Sequence, residues 1–359
     1  STMLSDKTCE KIRSRIIDTC KIFSVDVIGE DSSIVDAQQG LCALSIEKGL
    51  KNDIIKINKN FTFNNNIYTK VEIEDIINKK TGNAIIAVNE NEYRTLKKLR
   101  CFPTVSDHDF IHNMRGEFDL TEYKSMIRGA GQYKLLRGRN IKSYVPDYDS
   151  GEYADSKFVD STAKKKYVLS ERIACQQISN MLTDQRLIFS LIEPGTVLAN
   201  SCNFITVDSN DCGIDLYVLL GLFNSSIVNW LFKLTSSNNH INNYEIDALP
   251  IPFDKKLLQL MSETVRQFIK THDDGLLSQI EKISNELYCI NEEKTIQKKK
   301  ESGDEITKNC YTDLHAILEK VSVDDVDSIL CGKKDIDTYL TTNYPGLDDF
   351  NTSVCKNIV

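Results

Sequence analysis

The order of hydrophobic and polar positions divides the chain into three parts. Before residue 101 short helical and extended patterns follow one another, beginning with Ile12, Ile16 and Ile17 at helical spacing. Further strands are predicted at residues 22–27, 37–47, 54–63 and 84–88, and further helices at residues 72–80 and 92–99. This part of the chain therefore predicts a mixed arrangement of helices and strands.

Between residues 101 and 252 the pattern changes to short extended runs separated by Gly, Asn, Asp and Pro. The predicted strands include residues 134–137, 167–169, 187–192 and 203–207. Residues 216–234 then predict one helix that is apolar almost all round, which indicates burial. We therefore expect a β-rich domain that closes with a buried helix.

Beyond residue 252 the chain becomes helical. Apolar residues recur at helical intervals between dense charges in residues 255–271 and 276–300, and residues 303–359 predict a small helical appendix. The chain as a whole predicts an α+β protein. Its 359 residues are enough for two or three structural units, because roughly 100 to 200 residues per domain is usual.

The composition is that of a globular protein, with 41% hydrophobic and 27% charged residues. The longest apolar run, residues 216–222, is much shorter than the roughly 20 residues of a membrane-spanning helix, and the N-terminus has no signal-peptide core. We therefore expect a cytoplasmic protein without a membrane partner. The eleven cysteines are scattered and share no ligand spacing with the five histidines, so we expect reduced thiols and no metal site.

Charge is distributed unevenly along the chain. The net charge of −8 argues against uniform coating of nucleic acid, because phosphates are neutralised by Lys and Arg. Residues 121–140 nevertheless carry five cations against Glu122 alone, and three lysines follow at positions 164–166. This local excess predicts either a basic face for nucleic acid or an ordinary solvated surface.

Conventional active-site motifs are missing from the sequence. There is no Pro-Pro pair for the D/N-P-P-Y/F loop of adenine-N6 transfer and no glycine-rich strand-to-helix turn for S-adenosylmethionine. A P-loop, a G-x-S-x-G elbow and an H-E-x-x-H helix are also missing. We therefore predict no catalytic residue and no bound cofactor within this chain.

Polar residues suited to DNA recognition occur in several segments of the β-rich part. Amide and guanidinium groups can pair with base edges, and cations beside a glycine can approach a phosphate. The candidate DNA-binding residues are Lys134, Arg137, Arg139, Asn140, Lys164, Lys165, Arg172, Gln176, Gln177, Asn180, Asn203, Asn239 and His240. The alternative is that they form turns, helix caps and hydrogen bonds inside a β-core.

Three of these segments resemble a known family. In order, they are Leu135-Leu136-Arg137-Gly138-Arg139-Asn140-Ile141, Glu171-Arg172-Ile173-Ala174-Cys175-Gln176-Gln177-Ile178-Ser179-Asn180 and Asn200-Ser201-Cys202-Asn203-Phe204-Ile205. They resemble the TaqI-like C-terminal specificity domain of adenine-N6 DNA methyltransferases from type II restriction-modification systems. The segment Leu249-Pro250-Ile251-Pro252 is similar to the exit from such domains.

The resemblance implies a division of the chain. Residues 37–49 resemble the last strand of a methyltransferase fold, so residues 3–60 are expected to be the end of a catalytic α/β domain. A connecting α/β segment would follow at 61–112, the target-recognition domain at 113–253, buttressing helices at 254–302 and the helical appendix at 303–359. The donor-binding and N-P-P-Y motifs would then lie upstream, in a longer protein or in the other half of a split enzyme.

The resemblance also implies partners and site roles. The domain would hold double-stranded DNA against a catalytic methyltransferase domain or subunit, and the parent enzyme would use S-adenosylmethionine. Arg137, Arg139 and Asn140 would approach the DNA, while the other candidates would lie in or beneath the reading surface. Two alternatives stay open: a separate specificity subunit that docks on a catalytic chain, and a non-catalytic interaction protein. The sequence decides neither the recognised site nor the oligomeric state.

Overall fold

A computed structural model describes residues 2–28, 41–49, 51–62, 67–181, 183–236 and 239–290, together with 338 and 342. These residues belong to two compact units, Ser1–Pro252 with Leu257–Ser284, and Phe253–Lys256 with Asn285–Val359. All the sheets lie in the first unit. The predicted appendix falls outside the described residues except at positions 338 and 342, and the division into five segments stays a prediction.

The strands of the described residues are short, as the sequence predicted for the middle of the chain. They are β1 Cys20–Ile28, β2 Leu41–Lys48, β3 Ile54–Asn58, β4 Thr69–Glu72, β5 Ile77–Asn78, β6 Ala84–Ile85, β7 Ile111–Arg115, β8 Ile127–Arg128, β9 Tyr133–Leu136, β10 Tyr153–Ala154, β11 Arg172–Gln176, β12 Phe189–Ile192, β13 Thr196–Leu198 and β14 Cys202–Val207.

The α-helices of the described residues range from four to 17 residues in length. In chain order they are α1 Thr2–Ser5, α2 Glu10–Thr19, α3 Ile73–Ile76, α4 Glu90–Arg100, α5 Ser156–Ser161, α6 Lys165–Val168, α7 Leu216–Phe223, α8 Ser226–Thr235, α9 Asn243–Asp247, α10 Lys255–Thr271 and α11 Asp274–Leu287.

The strands of the first unit form three four-stranded sheets and one small pair. In the N-terminal sheet the order is β2-β1-β3-β4, with β1 antiparallel to β2 and parallel to β3. The second sheet has the order β13-β9-β10-β8, and the third, β12-β11-β14-β7, is antiparallel throughout. The chain is therefore α+β, as predicted, and its middle part holds the second and third sheets.

The core of the middle part lies between those two sheets. Leu136 of β9 and Leu198 of β13 pack with Ala174, Ile192 and Phe204 of the third sheet, and all five side chains are almost fully buried. The other face of β9 and β13 is covered by α5 and α6. Because both faces of these short strands are covered, the position of each turn at the strand ends is well determined.

The predicted helix at residues 216–234 is wrong as a single element. It is broken into α7 and α8, which are bent by 65°, although most of their apolar side chains are buried as expected. Asn224 ends α7, and its side-chain amide bonds the backbone of Phe189 and the carbonyl of Leu220. An internal side-chain bond thus replaces the continuation of the helix.

Two further predictions of secondary structure are wrong. Residues 167–169 were expected to be a strand, but they lie at the end of helix α6. Residues 72–80 were expected to be a helix, but only Ile73–Ile76 is helical before β5 begins. Both segments are too short for periodicity to separate helix from strand.

Among the described residues, no helix by itself has the length and apolarity needed to cross a membrane. The bent pair α7 and α8 meets that test only when the two helices are taken together.

Candidate nucleic-acid interface

Three turns meet at one end of the third sheet. The backbone N–H of Gly138 donates to the Ser201 hydroxyl at 3.0 Å, and the N–H of Gln177 donates to the Ser201 carbonyl at 2.8 Å. The N–H of Ile241 in turn donates to the Gln177 carbonyl at 2.8 Å. These bonds join segments that are up to about a hundred residues apart in sequence. We call the surface that they form the polar edge, and define it as Arg115, Arg139, Gln176, Gln177, Ile178, Ser201, Asn239 and His240.

Gly138 makes the close approach to Ser201 possible. A Cβ atom at position 138 would lie 2.7 Å from the Ser201 carbonyl oxygen, and any residue other than glycine would force the two turns apart. Asn140 closes the turn from within, because its side-chain oxygen accepts the N–H of Arg137 at 3.0 Å. The sequence Arg137-Gly138-Arg139-Asn140 is thus a compact turn that presents its cations beside the third sheet.

The two arginines of this turn differ in availability. Arg137 forms a two-pronged bond with the Glu152 carboxylate, at 2.6 and 2.7 Å. Arg139 lies 3.8 Å from the same carboxylate, and its side chain is 66% exposed. Since Glu152 is already engaged by Arg137, Arg139 is the cation that this turn offers to an external anion.

Arg115, at the end of β7, belongs to the polar edge although sequence reasoning missed it. Its Nε donates to the Asn200 carbonyl at 2.9 Å, and its Nη2 lies 3.4 Å from the Gln177 side-chain oxygen. The Lys164 ammonium donates to the Arg115 carbonyl at 2.6 Å. Neither Arg115 nor Lys164 forms a salt bridge within the described part of the chain. Two cations without a paired carboxylate therefore lie side by side.

The environment of Lys164 reflects this arrangement. Burial is the largest cause that lowers the pKa of Lys164. Among the neighbouring charges, Glu117 has the largest effect and raises this pKa, while Arg172 and Arg115 lower it. The Lys164 ammonium therefore lies among charges of both signs.

Three of the predicted DNA contacts require correction, because they are buried. Arg172 is fully buried against Glu117, with an Nη2–Oε1 distance of 2.7 Å, and it also donates to the Thr196 carbonyl. Asn203 is 1% exposed and donates to the Ile241 carbonyl at 2.8 Å, and Asn140 is 4% exposed. A side chain that is withdrawn from solvent in this way cannot reach a base edge, so these three residues form internal hydrogen bonds of the domain instead.

Four other predicted residues belong to the polar edge. Gln176 and Gln177 are half-buried on the polar edge, and Asn239 and His240 are exposed there. Asn180, three residues beyond Gln177, is also exposed.

The remaining two lysines are engaged elsewhere. The Lys134 ammonium lies over the Tyr148 ring, 4.7 Å from its centroid, and Lys165 pairs with Asp160 at 2.7 Å. The structure does not bring either of them into the contacts that build the polar edge.

The local excess of cations in the sequence is partly neutralised by distant carboxylates. Glu152 engages Arg137, and Asp155 pairs with Arg128 at 2.5 Å.

Arg115 was missed because it is a lone cation in a short strand, and only the pairing of β7 with β14 brings it to Gln177. Within the described ranges, no group of three or more His, Cys, Asp and Glu side chains could hold a metal ion.

The solved structures that resemble this chain include three proteins of restriction-modification systems. The chain is similar to the type IIL restriction-modification enzyme MmeI, solved in complex with DNA, with a TM-score of 0.43 and 9% sequence identity. The matched region covers 80% of this chain and 46% of the MmeI chain. It is also similar to the type IIG restriction endonuclease BpuSI, with a TM-score of 0.33 and 11% sequence identity. That match covers 81% of this chain and 47% of the BpuSI chain. A chain from a type I R-M system has a TM-score of 0.27 and 10% sequence identity to this chain, and the match covers 64% of each chain.

The sequence thus spans less than half the length of the MmeI and BpuSI chains. Among curated proteins, none matches the sequence. Residues 133–251 match the family model described as the TaqI-like C-terminal specificity domain. That range begins at β9, ends after α9 and includes the Gly138 turn, β11 and β14. Residues 133–251, about a third of the chain, are therefore similar to the TaqI-like C-terminal specificity domain.

Proposed function

We propose that this chain recognises a specific sequence in double-stranded DNA, as the specificity part of an adenine-N6 DNA methyltransferase of a restriction-modification system. The observation that carries the proposal is the polar edge, where Arg115 contacts Gln177 and the turn that carries Arg139 is bonded to Ser201. All of these residues except Arg115 lie in the range 133–251, which matches the specificity family. Cations and amides on one surface supply the two kinds of contact that site-specific DNA binding needs.

The polar edge divides these tasks between its residues. Arg115 and Arg139 are suited to phosphate oxygens, which position a protein on the duplex without reading its sequence. Gln177 presents an amide that can form two hydrogen bonds with an adenine edge in the major groove. The buried Arg172 and Asn203 hold the strands beneath these groups, so that the surface is formed before DNA binds.

The parent enzyme would combine this recognition with methyl transfer to adenine N6 from S-adenosylmethionine. In that proposal a catalytic methyltransferase domain or subunit supplies the donor site and the N-P-P-Y loop, and the target adenine is turned out of the duplex into it. The protein would act in the cytoplasm. The present chain should therefore bind DNA without binding the methyl donor.

The proposal can be tested by measuring fluorescence anisotropy of labelled duplex libraries with the whole chain at several salt concentrations. Arg115→Ala and Arg139→Ala should each weaken binding and reduce the slope of log K against log salt by about 1, the loss of one phosphate contact. The matched control is Arg94→Ala, which removes an exposed arginine paired with Glu90 on helix α4. Equal losses in all three variants would show that net charge, rather than the polar edge, determines binding.

A further inference from the structure

The side-chain amide of Gln177 is bound at one end and open at the other. Its oxygen accepts a hydrogen bond from the Arg115 guanidinium, with an Nη2–Oε1 distance of 3.4 Å. Its nitrogen donates to no group within the described part of the chain and is not enclosed by it. The half-buried Gln177 therefore presents a hydrogen-bond donor at the surface of the polar edge.

The chemistry of Arg115 determines which end of the amide is bound. A guanidinium group has five N–H donors and no acceptor, so only the amide oxygen can face it. A half-turn of the amide would place the N–H groups of the two residues against each other. The identity of residue 115 thus sets the orientation of the Gln177 amide.

Arg115 is itself held in place by the neighbouring turns. Its Nε donates to the Asn200 carbonyl at 2.9 Å, and its own carbonyl accepts the Lys164 ammonium at 2.6 Å. Asn200 in turn donates from its side chain to Asp119 at 2.7 Å and from its backbone N–H to the Phe118 carbonyl at 2.8 Å. The guanidinium is therefore placed by the fold rather than by a ligand.

The backbone of Gln177 is fixed as well. Its N–H donates to the Ser201 carbonyl and its carbonyl accepts the N–H of Ile241, both at 2.8 Å. Since the backbone and the amide oxygen are both held, the amide nitrogen is positioned before a ligand binds. Such preorganisation reduces the side-chain entropy that binding costs.

A donor in a fixed position distinguishes the bases of a duplex by their major-groove edges. Guanine offers N7 and O6 as acceptors, adenine offers N7 and thymine offers O4, whereas cytosine offers only its N4 amino donor. Two donors that meet at an interface lose their hydrogen bonds to water without replacing them. Of the four bases, cytosine is therefore the one that this orientation of the amide disfavours.

We propose that Arg115 is a positioning residue for Gln177, which reads one base of the recognised site by donating from Nε2 to an acceptor on the major-groove edge. This inference rests on the proposed function and adds to it the class of base at one position: adenine, guanine or thymine, with cytosine rejected. The second lone pair of Oε1 stays available to the N6 amino group of adenine, so the two-bond contact with adenine is retained.

The experiment begins with selection of the preferred duplex by the whole wild-type chain. Each base pair of that duplex is then replaced by the other three, one position at a time, and the affinities are measured. The position that Gln177 reads is the one at which Gln177→Ala loses discrimination. The wild type should bind cytosine most weakly there, about 5- to 100-fold below the best base, as expected for one specific contact with a base.

Gln177→Glu keeps the shape of the side chain but offers only acceptors, which suit both Arg115 and the N4 amino group of cytosine. It should therefore bind cytosine best at that position. The measured quantity is the order of the four bases, because the added negative charge weakens binding to every sequence alike. A purely structural role of Gln177 would not reverse this order.

Arg115→Ala frees the amide to turn, so discrimination at that position should fall to the level of Gln177→Ala while the other positions keep theirs. In the double variant the discrimination should be no smaller than in Gln177→Ala alone, as expected for two residues that act through each other. The matched control is Arg139→Ala, which removes another exposed arginine of the polar edge. It should weaken binding to all sequences alike and leave the order of bases unchanged.

The outcomes separate this inference from the proposed function. If the wild type selects a sequence but Gln177→Glu keeps its order of bases, or if Arg115→Ala weakens all sequences as uniformly as Arg139→Ala, the positioning role is disproved and DNA recognition stands. If the wild type binds all duplexes equally or none, the proposed function is disproved together with it. Circular dichroism and thermal unfolding verify that each variant folds, as expected for changes at exposed and half-buried side chains.

Discussion

Arg172 and Glu117 form an ion pair in which both side chains are fully buried, with Nη2–Oε1 and Nη1–Oε2 distances of 2.7 and 3.1 Å. The same carboxylate accepts the N–H of Leu198, and the same guanidinium donates to the Thr196 carbonyl and lies 4.5 Å from the Phe204 ring centroid. Through Thr196 and Leu198 of β13, this pair connects the second sheet to β11 of the third sheet.

Removing one member of this pair should destabilise the protein strongly. Arg172→Met leaves the Glu117 carboxylate buried without its cation, and a loss of about 3–5 kcal/mol in the free energy of unfolding is expected. Urea denaturation followed by circular dichroism measures it. The control Arg94→Ala removes an exposed pair, which contributes about 0–1 kcal/mol. Comparable losses in the two variants would contradict the structural role of Arg172.

The close contact of Gly138 with Ser201 gives a second prediction. In Gly138→Ala the new Cβ would lie 2.7 Å from a backbone oxygen that cannot rotate away, so about 1–3 kcal/mol of stability should be lost as the turns separate. DNA affinity should fall as well, because Arg139 moves with the turn. Gly129→Ala is the control, since nothing lies within 4 Å of its Cβ position. A Gly138→Ala variant as stable as Gly129→Ala would show that the turns are not in this contact.

The chemistry of Arg172 explains why sequence reasoning succeeded only in part. In the sequence, Arg172 with the nearby Gln176 and Gln177 is typical of a surface that reads DNA bases. The same residues would look alike whether Arg172 faced solvent or, as the structure has it, paired with a glutamate 55 residues away. The strands at 187–192 and 203–207 were predictable, because each sequence pattern is local. Arg115 could not be found in this way, since its place on the polar edge depends on the non-local pairing of β7 with β14.

The break between α7 and α8 provides a third prediction. The Asn224 side chain bonds the N–H and carbonyl of Phe189 and the carbonyl of Leu220, so it connects the helix pair to β12. Asn224→Ala would leave the buried N–H of Phe189 without its partner, at a cost of about 1–3 kcal/mol. The carbonyls of Phe189 and Leu220 keep the backbone N–H groups of Tyr144 and Asn224 as donors. Thermal unfolding measures the loss, with the exposed Asn91→Ala on α4 as the control. An equal effect of the two substitutions would refute the connecting role of Asn224.

Asp107 predicts a pH dependence of stability. Partial burial raises the pKa of Asp107, but hydrogen bonds from Lys80 and Thr104 outweigh it and lower the pKa to about 2. A depressed pKa in the folded state stabilises the protein above the ordinary value of 3.8, and that stabilisation is lost as the pH falls towards 2. The wild type should therefore exceed Asp107→Asn in stability above pH about 4 and approach it near pH 2.

Urea unfolding at several pH values between those limits checks this prediction. Asp109→Asn, which changes an exposed carboxylate without a salt bridge in the described chain, should alter stability little at either limit. A difference between wild type and Asp107→Asn that stays constant down to pH 2 would exclude the proposed linkage.

The central claim is that this chain is a recognition module whose polar edge binds duplex DNA. The most direct test is a titration of the chain with the selected duplex and with a scrambled duplex at low and high salt, together with calorimetry of S-adenosylmethionine on the same preparation. The account predicts salt-sensitive binding that prefers the selected duplex, and no binding of the donor. Binding of the donor, or equal affinity for both duplexes at both salt concentrations, would contradict it.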